Sequence, residues 1–408
     1  MNSRRKPELV APAGNLEKLK AAINFGADAV YLGGHEFSLR AGADNFSLPE
    51  MEKGLEIAHR AGRRVYVTVN IFAHNCDIDR MPAYLKELNN IGVDGLIVSD
   101  PGVLLLAREF SPDLPVTIST QANVTNFQSA EFYRQQGASR LVLARELSID
   151  EIARIRRTVP IEVEVFVHGA MCISYSGRCW LSQAMTGRSA NRGECAHPCR
   201  YRYALVEEKR PGQYFPVMED ERGSYVMNSK DLCMIDLIPR LIEAGVDAFK
   251  IEGRMKSPYY VASVVKVYRE AIDSIMEGMP HRVPEWTREL ERVATRPFTA
   301  GFALGKPEEA QDTEKTESPR RVMFCGIVKE VDEKNGRILV EQRSPFGIGD
   351  HLEYLEPNQP LRTERLLELY DEELNSIEVA RHPQQMVWLT SRCCPTPGTL
   401  VGKIVEEG

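Results

Sequence analysis

Four phrases in this sequence share one grammar: FGADAVYLGG (Phe25 to Gly34), IGVDGLIVSD (Ile91 to Asp100), QGASRLVLAREL (Gln136 to Leu147) and AGVDAFKIEGR (Ala244 to Arg254). Each holds a glycine suited to ending a helix in the left-handed conformation, then a short turn, then an apolar run that fits a strand buried on both faces. Between the phrases apolar residues recur three or four positions apart, as at Leu16, Leu19 and Ile23 and again at Leu85, Leu88 and Ile91, which predicts helices. A chain that repeats helix, turn and buried strand is built as an α/β protein.

Strand-like runs fall at 8–13, 28–33, 64–69, 95–100, 116–121, 140–145, 161–168 and 248–253. Eight such runs, most separated by helix-length segments, predict a (β/α)8 TIM-like barrel over residues 1–302. An open dinucleotide-binding sheet would need a glycine-rich fingerprint after an early strand, and PAGN at Pro12 to Asn15 is too short to cradle a pyrophosphate. Residues 170–245 then form a cysteine-rich insertion after the seventh strand, at the barrel face where chemistry sits. VASVVKVYREAIDSIM, from Val261, reads as the helix that closes the barrel. Residues 303–320 are polar and proline-bearing and read as a linker. Residues 321–408 change texture: MFCGIVKEVD, GRILVEQ and DHLEYLE are short alternating runs, separated by Asn335-Gly336 and by Gly347 to Asp350. They predict a small antiparallel β-barrel domain.

Hydrophobic residues at 43% and charged residues at 27% describe a soluble globular protein. The opening MNSRRKPELVAPAG lacks the apolar segment of a signal peptide, and no run of about 18 apolar residues could span a membrane. The expected location is cytoplasmic, where cysteines stay reduced and open to metals, and no membrane partner is expected. A net charge of −7 argues against broad polyanion binding while leaving room for a local basic patch.

Between Glu164 and Cys199 the chain places Cys172, Cys179, Cys195 and Cys199 in a glycine-rich, charged stretch, and Cys233 follows. Thiolates are soft donors, and four of them can enclose an iron-sulfur cubane. A tetrahedral zinc site and plain packing of small residues are the competing readings. Glu146, Glu164, His168, Lys250, Glu252, Arg254 and Lys256 occupy or follow strand runs and suit a polar pocket for a small anionic ligand. Among these, His168, Glu164, Lys250, Glu252 and Arg254 are the candidate catalytic residues; salt bridges holding the barrel mouth are the bland reading. Gln121 and Asn123 are candidate contacts to a base or a carboxylate. Arg178, Arg188, Arg192, Arg200 and Arg202 are interleaved with Tyr175, Trp180, Tyr201 and Tyr203. That combination serves phosphate contact and base stacking, or an ordinary solvated rim. No HExxH motif occurs, and although a Cys172 and His168 pair can be imagined, a thiolate committed to iron is no longer a free nucleophile.

The pattern E-x-F-x-x-G-A-x-C-x-x-x-x-G-x-C-x-x-S is met by Glu164, Phe166, Gly169, Ala170, Cys172, Gly177, Cys179 and Ser182, alongside ELVAPAGN, GADAVYLGG, STQANVTN, NSKDLC and KIEGRMKSPYYVA. On these motifs the chain resembles the U32 family of collagenase-like peptidases, and is most similar to its branch linked to prephenate-dependent 5-hydroxylation of tRNA wobble uridine. The resemblance implies a four-iron, four-sulfur (4Fe-4S) cluster held by Cys172, Cys179, Cys195 and Cys233, with Cys199 competing for one place. It implies a prephenate-like small carboxylate as cosubstrate, the tRNA anticodon region as a partner, and room for a protein partner. Peptidase action and a non-catalytic accessory role in a hydroxylation complex are the alternatives it leaves open.

Overall fold

The computed structural model describes residues 5–39, 44–171, 174, 179–200, 204–206, 214–216, 228–305, 311–312 and 321–405. Its larger part is a ring of parallel strands: β1 (Glu8–Pro12), β2 (Ala29–Gly33), β3 (Arg64–Val69), β4 (Gly95–Val98), β5 (Val116–Ile118), β6 (Arg140–Val142) and β7 (Glu162–Ala170). The short β8 (Asp231–Cys233) pairs antiparallel with the end of β7, and β9 (Ala248–Ile251) closes the ring by pairing in parallel with both β1 and β7. Strands β2, β4, β6 and β9 are entered where the sequence grammar requires: Gly26, Gly92, Gly137 and Gly245 have φ of +107°, +76°, +90° and +82°, a region that a side chain makes costly.

Helices α1 (Leu16–Asn24), α2 (Leu48–Arg60), α3 (Met81–Asn90), α4 (Pro101–Phe110), α5 (Phe127–Gln135) and α6 (Ile149–Thr158) wrap the ring. Polar side chains fix where several of them begin. Asn15 accepts from the Lys18 amide, Asp100 from Gly102 and Val103, and Ser148 forms a reciprocal capping box with Glu151. The expected barrel is therefore a closed, helix-wrapped parallel barrel.

Part of the expected insertion over 170–245 lies outside the described residues, and the described portions do not make a distinct unit. They comprise a short helix α7 (Leu181–Thr186), turns at 190–192 and 198–200, an antiparallel pair of short strands, Ala204–Val206 and Tyr214–Pro216, the two-residue strand Asn228–Ser229, and β8. Ile235–Leu237 and α8 (Ile238–Glu243) already belong to the barrel wall, since Ile235, Leu237, Ile238, Leu241 and Ile242 join its core. α9 (Pro258–Met276) then packs along α1, as the closing-helix expectation requires.

Past α10 (Val283–Glu291), and β10 (Phe298–Thr299) paired to β8, lies an antiparallel sheet. Its strands are β11 (Val322–Asp332), β12 (Arg337–Gln342), β13 (His351–Leu355), β14 (Arg362–Arg365), β15 (Leu369–Tyr370), β16 (Met386–Thr390) and β17 (Leu400–Ile404). They pair in the order β14-β13-β17-β11-β12-β16-β15, and among the described residues no pairing joins the two ends. The expected small barrel is thus an antiparallel sheet domain with its own core around Val328, Val340, Tyr354 and Leu389. It is fastened to the larger barrel by Val322, Ile327, Leu355 and Leu400, which enter that barrel's apolar cluster, and by buried Glu353, which binds Tyr259 of α9 and Arg292.

Candidate functional site

Strand alternation decides which residues face the inside of the ring. Val10, Ala29, Tyr31, Tyr66, Ile97 and Ala248 form a small cluster of their own there, while their sequence neighbours such as Leu9, Val30, Val65, Leu96 and Phe249 join the outer core with the helices. Two residues beyond Ala248 is Lys250, and two beyond that is Glu252. With Arg254 they line a cleft shared with Tyr31, Leu39, Thr68, Asn70, Ser119, Gln121, Arg145 and Phe166, whose empty space is about 470 Å³ counted out to open solvent. The cleft lies at the carboxyl ends of the strands, the place at which barrel loops build active sites.

Its lining combines Arg145, Lys250, Arg254 and the carboxylate of Glu252 with the neutral groups of Asn70, Ser119 and Gln121. Arg254 is almost completely buried and is held by Ser38 Oγ at 3.0 Å, Thr68 Oγ1 at 3.3 Å and the Leu39 carbonyl. Gly33 makes this possible: a Cβ there would overlap both Ser38 and the Arg254 guanidinium. Arg145 donates to the Ala170 carbonyl at 2.5 Å and lies over the Phe166 ring at 4.0 Å. Asn70 Oδ1 accepts from the Leu39 amide, and its amide nitrogen lies 3.4 Å from both Ser119 Oγ and Gln121 Oε1. Gln121 reaches the cleft because β5 ends early and a tight turn, Thr120–Ala122, follows.

Beneath the cleft the ring is filled by charge. Lys250 Nζ donates to Glu164 Oε1 at 2.7 Å, and Arg140 Nη1 reaches Glu164 Oε2 at 3.1 Å and Glu8 Oε2 at 2.7 Å. Arg140 also binds Glu162 at 2.8 Å. Burial pushes the Glu164 carboxyl up, but Lys250 and Arg140 outweigh it and hold the group below its ordinary range. Burial pulls the Lys250 ammonium down, against Glu164, and the result is a lowered value. Glu8 and Arg140 escaped the sequence reading because their partners lie far along the chain.

His168 is placed elsewhere. Up to Lys250 opposite Phe166 the register of β7 and β9 is regular; the next pair is Ile251 with His168, so β7 carries an extra residue at Val167. Such a bulge breaks the inward alternation that Glu164 and Phe166 obey. His168 is instead buried among Tyr260, Tyr268 and Phe298, with Nδ1 3.4 Å from the Tyr268 hydroxyl. Burial, helped by Lys256, pushes its pKa down to about 3, so the ring is neutral. It does not line the cleft and is poorly placed for the expected acid-base role. The sequence reading also chose Glu146 where the neighbouring Arg145 turns inward. Glu146 is partly buried, and burial raises its carboxyl above the usual range. Lys256 binds Thr295 Oγ1 at 2.8 Å, and Asn123 donates to the Gln121 carbonyl at 3.0 Å, so both support loops beside the mouth.

Of the expected cysteine ligands, Cys172 lies outside the described residues. Cys179 and Cys195 are half-buried, and Cys195 Sγ accepts from the His197 amide at 3.4 Å. Cys233 is buried on β8 with Sγ 3.8 Å from the Tyr268 hydroxyl, and burial pushes its thiol up to about 11. Among the described residues no three cysteine, histidine, aspartate or glutamate side chains are arranged to hold a metal ion. With Cys172 outside the described residues, the four-thiolate set is neither completed nor excluded there, and burial favours the protonated form of the Cys233 thiol. Arg192 anchors the cysteine segment to the loop after β3, through Asp77 at 3.0 Å and the Phe72 carbonyl at 3.2 Å. Trp180 is 74% exposed, whereas Arg178, Arg202, Tyr175, Tyr201 and Tyr203 of the expected basic rim fall outside the described residues.

The model of peptidase family U32 matches residues 14–313. The chain belongs to this family. The family's C-terminal domain matches residues 320–401, the antiparallel sheet. A Bacillus subtilis protein named tRNA hydroxylation protein P1 is 43% identical over 386 residues, covering 94% of this chain and 91% of that protein. The Escherichia coli tRNA hydroxylation protein P is 38% identical over 395 residues, 86% of each chain. An uncharacterized protease of Methanocaldococcus jannaschii is 43% identical over 301 residues, 72% of each. Membership in a family with peptidase and tRNA-hydroxylation members supports an enzymatic role for this U32 chain. Among the described residues no helix is long and apolar enough to cross a membrane.

Proposed function

We propose that this U32 protein takes part in 5-hydroxylation of tRNA wobble uridine, with a prephenate-like small carboxylate bound in the barrel mouth. The observation that carries the reading is the similarity to tRNA hydroxylation protein P1 over nearly the full length of both chains. The cleft supports it: three cations and one carboxylate converging on one mouth suit a compact acid better than an extended peptide, because its carboxylate oxygens can meet charge-assisted donors. Arg254 and Arg145 bind and orient the acid, Lys250 balances its charge, and Glu252 is the group placed to hold or take up a proton beside it. Trp180 and the exposed Arg188 sit on the segment proposed to meet the anticodon loop, where a flat ring and a cation suit unpaired bases.

A 4Fe-4S cluster on Cys172, Cys179, Cys195 and Cys233 belongs to the proposal through family resemblance, and would supply redox or Lewis-acid chemistry. Anaerobic purification with iron and sulfide analysis tests it; zinc, or no metal, would remove the cluster from the account. Peptidase action is the second reading, favoured by the relative named a protease, and it predicts gelatin or peptide cleavage by metal-free protein. An accessory role predicts stable copurification with a second protein and no turnover alone. Expression in a bacterial strain lacking wobble-uridine hydroxylation separates hydroxylation from peptidase action: the modified nucleoside returns under the first and stays absent under the second.

A further inference from the structure

We infer that Lys250 is an imine-forming lysine, whose amine condenses with the carbonyl group of a small 2-oxo acid held in the barrel mouth. The inference rests on the reading of that cleft as a small-carboxylate site and adds a covalent step to it. Lys250 lines the cleft with its side chain only 4% exposed, its Nζ 2.7 Å from Glu164 Oε1 and 4.3 Å from the centroid of the Tyr31 ring. A lysine meant only to attract an anion works best hydrated and mobile. This one is desolvated, fixed against a ring, and in contact with a carboxylate that can accept its proton. These are the conditions that turn an ammonium into a nucleophile. A 2-oxo acid is the ligand class that uses both features of the site, its carboxylate meeting a guanidinium of Arg254 or Arg145 and its adjacent carbonyl carbon meeting the amine.

The charge count balances from the first step to the last. The ammonium passes one proton to Glu164; the freed lone pair forms the C–N bond as the C=O π bond breaks. A proton shift from nitrogen to oxygen gives a neutral carbinolamine. Glu164 then returns its proton to the departing hydroxyl, water leaves, and the nitrogen lone pair completes a protonated C=N bond. The product keeps one positive charge on nitrogen beside an ionised Glu164, so the buried ion pair is the same before and after. Arg140, tied to Glu8 and Glu162 as well as to Glu164, holds the carboxylate in place while the lysine changes state. Burial and the nearby Arg140 and Arg254 also favour the neutral amine, against the pull of Glu164.

The test is trapping on the full-length wild-type protein with pyruvate and cyanoborohydride, followed by peptide mapping by mass spectrometry, with pyruvate binding measured in parallel by calorimetry. One saturable reduced adduct on Lys250, absent from Lys250→Arg, is expected. Pyruvate that binds without an adduct on Lys250, or adducts only on exposed lysines, overturns the inference and leaves the carboxylate reading standing. Absence of any pyruvate binding overturns the inference and weakens the carboxylate reading with it. The mapping needs no variant, so a folding failure of Lys250→Arg does not blunt it.

Discussion

Glu164 holds two cations where water does not reach; removing it leaves Lys250 without its carboxylate, while Arg140 keeps Glu8 and Glu162. Glu164→Ala is expected to lower the unfolding free energy by about 3–5 kcal/mol in urea titrations, whereas Arg5→Ala, at an exposed pair, changes it by less than about 0.5 kcal/mol. His168 gives a pH signature. Its folded value of about 3 lies below the ordinary 6.5, so between these the unfolded chain binds the proton and the folded one does not. Stability from this residue is full above pH 6.5 and is lost as pH falls toward 3, by an amount on the order of 5 kcal/mol. His168→Phe should flatten that slope in denaturation curves; an unchanged slope would mean that the ring is hydrated. Lys250, Glu252 and Arg254 were legible because a polar residue inside or just after an apolar strand run faces the barrel mouth. His168 was misread because a single-residue bulge reverses facing and leaves no trace in composition.

The strands were readable almost to their ends: the expected run at 64–69 is the observed Arg64–Val69. Where it failed, at 116–121, the cause is local. Ser119 begins a tight turn closed by Asn123 at φ +54°, and a β-branched-rich run gives no warning of that. Closure of the C-terminal sheet was equally illegible, since whether two edges meet depends on twist and loop length rather than on alternation. Capping, by contrast, is written in the sequence. Ser148→Ala removes the box at the start of α6 and is expected to cost about 1 kcal/mol in thermal or urea unfolding, with ligand binding at the mouth unchanged. Gly33→Ala should act oppositely, weakening binding of a small carboxylate at least about tenfold by displacing Arg254, as calorimetry would show.

At the scale of the molecule, the sheet domain is held to the barrel by apolar contact and by the buried Glu353 between Tyr259 and Arg292. Glu353→Ala should cost about 3 kcal/mol or more and split a single unfolding transition into two; one unsplit transition would show that the apolar contact alone couples the units. No run of residues announces this latch, because its partners come from helices and a strand far apart in sequence. On the proposed reading, one enzyme holds a small acid in the barrel mouth and presents RNA-facing surface around it. Mass spectrometry of tRNA nucleosides, from a strain lacking wobble-uridine hydroxylation and complemented with this chain, tests that claim most directly. The account predicts that 5-hydroxylated uridine returns with the wild-type chain and not with Arg254→Ala, confirmed as folded. Failure of the wild-type chain to restore the nucleoside, or full restoration by Arg254→Ala, would contradict it.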